Sequence, residues 1–152
     1  MINYSLICQS KHWPPRLNKI KLMVQNILKF QKELKFQNNI DYNCNLILTD
    51  DKLMKKINYK FRNNQNSTDV LTFVSEIKVN KRKREKICDI FLSANIITLD
   101  AKNNQVNFYN HLSHLIIHSF LHINGYLHDR VYDFNKMKSI LVTGGAGYVG
   151  SG

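Results

Sequence analysis

Carboxylates are scarce in this 152-residue chain: 11 acidic side chains stand against 22 basic ones, for a net charge of +11. That deficit argues against a cationic partner and suits a polyanion, nucleic acid first of all. Seventeen of the 22 cations are lysine in a chain crowded with asparagine and isoleucine, so an AT-rich coding sequence is a second source of the excess. The charge supports RNA binding without establishing it. Cysteine is also rare. Cys8, Cys44 and Cys88 are odd in number and widely spaced, which argues against a disulfide framework and fits the reduced thiols of a cytoplasmic protein. No run approaches the roughly 18 apolar residues of a membrane span. The opening stretch MINYSLICQSKHWPP has no basic region followed by an apolar run, so no secretory signal is expected. The length fits one domain able to bury a core.

Histidine is concentrated where other chemistry is missing. The stretch His111 to Asp129, HLSHLIIHSFLHINGYLHD, holds five of the six histidines. His118 and His122 lie four residues apart in an apolar run (Leu115, Ile116, Ile117, Phe120, Leu121, Ile123) that predicts a helix, so their imidazoles share one face. Gly125 can end that helix in the left-handed conformation, and His128 arrives beyond it. The spacing H-x3-H-x2-G-x2-H gives three legs of a tetrahedron with the fourth open to water, the pattern of a zinc site. A histidine-rich polar face beside a core is the simpler alternative for any one of these residues. His111 is two turns before His118, on the order of 10 Å, too far to share the ion. His114, one turn away, is an alternative ligand or a partner of one.

Two further absences narrow the chemistry. A metzincin-like peptidase needs Glu directly after the first histidine as general base, and that position is Ser119. A structural zinc site needs a fourth ligand, and no cysteine lies near the histidines. The readings kept open are a zinc hydrolase, including a peptidase lacking its Glu base, and a non-catalytic RNA-binding protein with structural zinc.

Along the chain, residues 2–8 predict a strand and Pro14–Pro15 the first turn of a helix over about 16–36, with Leu17, Ile20, Val24, Ile27, Leu28 and Leu34 at helical spacing. Residues 42–48 alternate as a half-buried strand. Asp50 caps a helix with the apolar line Leu53, Ile57, Phe61 and with Arg62 at its end. Strands over 69–75 and 88–93 flank the charge run Lys81–Lys86, expected as a solvated loop, with a phosphate-binding role as the second reading. A helix over about 94–103 precedes the histidine helix. The order β-α-β-α-β-β-α-α implies an α+β (mixed α/β) domain with about four strands packed with helices.

These residues together resemble the YbeY-type endoribonucleases, bacterial rRNA maturation factors. The helix motif H-G-x-L-H-L-x-G-Y-D-H corresponds to His118 through His128. A second block corresponds to Thr49-Asp50-Asp51, Ile57-Asn58-Tyr59-Lys60-Phe61-Arg62 and Thr68-Asp69-Val70-Leu71-Thr72-Phe73, and the G-D-I strand to Cys88-Asp89-Ile90. Ser119 departs from the family's glycine, and Leu127 from its acidic residue, for which Asp129 is a candidate substitute. The resemblance, over roughly residues 1–136, implies a zinc-dependent endoribonuclease of single-strand type, cytoplasmic, ribosome-associated, and acting in 16S rRNA maturation and ribosome biogenesis. It implies Zn2+ held by His118, His122 and His128, a metal-activated water attacking the phosphodiester, and Arg62 on the phosphate; a guanidinium suits that role by binding bidentately.

Residues 137–152, MKSILVTGGAGYVGSG, fall outside it. A strand leading into Gly144, Gly145, Gly147 and Gly150 resembles the start of a nucleotide-sugar epimerase. A dinucleotide fold needs at least a whole βαβ unit beyond this point, so the segment is expected to be a truncated, non-family tail that binds no dinucleotide cofactor.

Overall fold

The computed structural model describes residues 1–62 and 68–125. In chain order the elements are β1 (Ile2–Cys8), a 3-10 turn (Pro14–Arg16), α1 (Leu17–Ile27), β2 (Ile40–Thr49), α2 (Asp51–Arg62), β3 (Val70–Lys78), β4 (Arg84–Ser93), α3 (Ala94–Asn103) and α4 (Phe108–Ile123). The order and the α+β class are those the sequence predicts. The domain comprises two compact units, residues 1–17 with 37–100, and residues 18–36 with the chain from 101.

The first unit carries the sheet, in the order β1-β2-β4-β3. β1 and β4 flank β2 in parallel, and β3 runs antiparallel to β4. Side chains alternate between faces with period two. Tyr42, Cys44, Leu46 and Leu48 of β2 and Cys88, Ile90 and Leu92 of β4 are buried. Residues of the opposite parity, including Asn43, Asn45, Asp89 and Phe91, are half-buried. There Ser5 Oγ donates to Asn45 Oδ1 (2.7 Å) and Asn45 Nδ2 donates to Asp89 Oδ1 (2.9 Å), a polar rung across three strands. Cys44 and Cys88 stand opposite one another in register, both reduced and buried. The hydrogen bond with Cys88, reinforced by burial, pushes the Cys44 thiol far above its ordinary pKa. Cys8, by contrast, is exposed.

Three expectations are corrected. The first helix stops at Ile27 rather than near residue 36. Lys29 N and Phe30 N bond to the carbonyls of Asn26 (3.3 Å) and Ile27 (3.0 Å), three residues back, and the chain turns onward. Lys35 takes a left-handed φ of 65°, with Phe36 N bonded to Gln31 O (3.0 Å) and Lys35 N to Lys32 O (3.0 Å), a Schellman closure without glycine. The bend places Leu34 in the core and Phe36 edge-on to Phe120, centroids 5.6 Å apart, so packing overrides a weak propensity to continue. In α2 the buried line is Met54 and Asn58, while Phe61 is 61% exposed, so the inward face is rotated from the expected Leu53–Ile57–Phe61 line. Half of the charge run, Arg84–Lys86, belongs to β4, because cross-strand pairing with Glu76–Lys78 extends the ladder.

Candidate metal centre

The histidine helix belongs to the second unit. Asn107 caps α4: its Oδ1 accepts from Tyr109 N (2.7 Å) and Asn110 N (3.3 Å), two of the amides that a helix start leaves unbonded. From there the helix is buried nearly all round. Leu112, Ser113, Leu115, Ile116, Ile117, Ser119, Phe120, Leu121 and Ile123 are all buried. The open stripe is made of histidine: His111, His114 and His118 are half-buried and His122 is exposed. Residues at these spacings recur on one side of an α-helix, so the sequence places four imidazoles along one line. The rings of His114 and His118 lie 6.5 Å apart and steeply inclined. A hollow of about 270 Å³ beside the start of the stripe is lined by His111 and His114 with Asn104, Val106 and Asn110.

Ser119 does not point along that stripe. It is buried, and its Oγ donates to Leu115 O at 2.8 Å, one turn back. The hydroxyl is thereby satisfied within the helix. The residue that stands where a metzincin carries its general base is therefore committed to backbone. The helix then ends as the sequence predicts. Asn124 N bonds to Leu121 O (3.1 Å), Gly125 N to His122 O (3.0 Å), and Gly125 adopts φ +90°. A Cβ on Gly125 would meet nothing within 4 Å, so conformation and not crowding calls for glycine there. Asn124 Nδ2 also donates to Leu34 O (2.8 Å), tying the helix end to the turn that follows α1.

Of the residues singled out by sequence, His118 and His122 are thus brought together, one turn apart on the open side of one helix. His128 lies outside the described residues, as does the 137–152 segment. Arg62 is the last residue of α2, in the sheet unit; its backbone is helical and its side chain lies outside the described part. That helix starts as expected, with Asp50 Oδ1 accepting from Leu53 N at 3.0 Å. Phe61 beside Arg62 packs against Phe73 of β3 at 5.3 Å, and Phe73 against Phe91 of β4 at 5.8 Å. The bond that occupies Ser119 was not foreseen; a serine four residues after a helical carbonyl is the signal that finds it. Among the described residues no helix is long and apolar enough to cross a membrane.

The chain is similar to proteins of one kind throughout. The family described as Endoribonuclease YbeY matches residues 7–142. A protein named Endoribonuclease YbeY from Pelagibacter ubique is 32% identical over 138 residues, covering 90% of each chain. One of the same name from Bartonella henselae is 28% identical over 141 residues, covering 92% of this chain and 89% of its own. The solution structure of TM1509 from Thermotoga maritima aligns with a TM-score of 0.58 at 26% identity, over 91% of this chain and 85% of the other. With a family match reaching across both compact units and relatives matched over nearly their full length, the chain belongs to the YbeY endoribonuclease family.

Proposed function

We propose that this protein is a zinc-dependent endoribonuclease that cuts single-stranded RNA phosphodiesters during maturation of 16S rRNA, working in the cytoplasm at the ribosome. The observation that carries the reading is the histidine stripe of α4. His118 and His122 stand one turn apart on the open side of a helix that otherwise buries almost every residue. Neutral imidazoles on a rigid helix suit a borderline-soft divalent cation such as zinc, and three residues beyond the left-handed turn at Gly125 the sequence supplies a third candidate ligand, His128. When bound, zinc supplies Lewis-acid polarisation of water and of the phosphate.

The chain's own residues do the rest. His118, His122 and His128 would hold the ion. Arg62 grips the scissile phosphate through its planar guanidinium, which stays charged at any working pH. No side chain is assigned as general base. The peptidase alternative loses ground because Ser119 is already bonded to Leu115 O. Residues 143–152, beyond the family match, are a tail outside the catalytic domain, and the 137–152 segment binds no dinucleotide.

Cleavage of a single-stranded rRNA fragment by the purified protein tests this reading. Activity should vanish with a chelator and return with zinc. Arg62→Lys keeps the charge but loses the fork, so cleavage should fall about 10²-fold with zinc content unchanged. Chelator-resistant cleavage, or full activity in Arg62→Lys, contradicts it.

A further inference from the structure

The charge run that the sequence assigns to a solvated loop forms one wall of a groove. The tight turn between β3 and β4 and the loop before β2 enclose about 840 Å³ at one end of the sheet unit, lined by Asn38, Asn39, Asp41, Lys81, Arg82 and Lys83 among others. The turn is held in shape. Val79 N and Asn80 N donate to Lys83 O (3.0 and 3.2 Å), and Arg82 N donates to Asn80 Oδ1 (2.8 Å). Its cations divide into two sets. Lys83 pairs with Asp41 at 2.9 Å, and Arg84 with Glu76 at 3.0 Å across the strands. The hydrogen bond from Lys83 holds the Asp41 carboxyl below its ordinary pKa, so the groove's acid is ionised and neutralised by its neighbour. Lys78, Lys81 and Arg82 make no ion pair among the described residues, and all three are exposed. The asparagine amides beside them are further donors.

We propose that this groove, together with an adjoining hollow of about 330 Å³ lined by Asn39, Lys78, Lys81, Arg82 and Arg84, is a backbone-phosphate subsite for RNA, formed by Lys78, Lys81 and Arg82 with the amides of Asn38 and Asn39. The inference rests on the RNA reading given above and adds where a long substrate is held. Charge complementarity selects the occupant: three cations that make no ion pair among the described residues, spread along the groove and the hollow beside it, match a strand carrying a charge at each nucleotide. Position supports it. Phe61, next to Arg62, packs on Phe73, and the turn begins seven residues further along β3, roughly 20 Å at the rise of a strand. A strand gripped at the Arg62 end would need several nucleotides to reach the groove, so the subsite acts on long substrates and leaves short ones untouched.

The test measures binding of single-stranded RNA of about 4 and about 16 nucleotides by fluorescence anisotropy across a salt series, with the full-length, zinc-loaded protein, before cleavage proceeds. The groove variant carries Lys78→Ala, Lys81→Ala and Arg82→Ala. A control carries Lys21→Ala, Lys29→Ala and Lys32→Ala, also exposed, and so has the same net charge. The groove variant should bind the long strand about tenfold more weakly, with the slope of log K against log salt shallower by about 2. It should bind the short strand like the wild type, and the control should match the wild type on both. Equal losses in groove variant and control would mean that only net charge matters and would overturn the subsite, as would an unchanged groove variant or equal losses on both lengths. A wild type that binds neither strand removes the RNA reading itself and the subsite with it; normal wild-type binding with an unaffected groove variant removes the subsite alone.

Discussion

The two sides of α4 are built from the same helix and put to different uses. One side is Leu112, Leu115, Ile116, Phe120 and Leu121, all buried. The other is His111, His114, His118 and His122, open to solvent in varying degree. Apolar side chains on the first side stabilise the fold by leaving water, and a smaller replacement loses both that transfer energy and its contacts. Imidazoles on the second side are half-buried or exposed, so less transfer energy rests on them. Polar residues that recur at ligand spacing on the open side of a helix are candidates for chemistry. On the proposed reading, stability and activity are separable on one helix, and substitutions can break that separation or sharpen it.

The largest effect should come from the open side and be seen only in catalysis. His122→Ala should reduce RNA cleavage to background, while the metal-free variant keeps a thermal midpoint close to that of the metal-free wild type, within about 0.5 kcal/mol. A variant that loses activity by unfolding would merge the two sides again. Phe120→Ala should do the reverse. Removing a fully buried ring that also packs on Phe36 should cost about 3–5 kcal/mol, read as a lower midpoint in thermal unfolding. At temperatures where it remains folded, it should still bind zinc.

A smaller effect is expected where the two sides end. Gly125→Ala has room for its methyl but must hold φ +90°, so it should cost about 1–2 kcal/mol in denaturant unfolding. If it instead proves neutral while weakening zinc binding, the turn matters for positioning His128 more than for stability. The smallest effect is expected at the C-terminal segment. Deleting residues 143–152 should leave zinc content and thermal midpoint unchanged, and the intact chain should show no saturable binding when titrated with NAD.

How much of this was legible in the sequence depends on what set each boundary. β1 and α3 have the expected bounds, and Asp50 and Gly125 mark helix ends, because alternation, capping oxygens and glycine carry local signals. The turn after α1, closed by Lys35 at φ 65°, carries none, since lysine does not favour the left-handed region. Gln105 closes α3 as Lys35 closes the turn after α1, with Val106 N on Ala101 O at 2.9 Å. α1 itself stops at Ile27, where Lys29 and Phe30 bond to carbonyls three residues back, with no glycine or proline in residues 26–30 to mark the stop. The inward face of α2 was misjudged because Asn58 is buried, and an apolar count gives a buried amide no weight. At the candidate site, His118 and His122 were legible because ligand spacing and helical spacing coincide. The groove was visible only as a run of charge, because Asp41 and Asn39 reach it from a separate segment through the sheet register.

Zinc content of the purified protein and its single histidine variants tests the central claim most directly. The account predicts one zinc per chain in the wild type and in His111→Ala, and loss of zinc in His118→Ala, His122→Ala and His128→Ala. Zinc that persists in His122→Ala, or that is lost in His111→Ala while His128→Ala keeps it, would contradict the assignment of His118, His122 and His128 as the metal ligands.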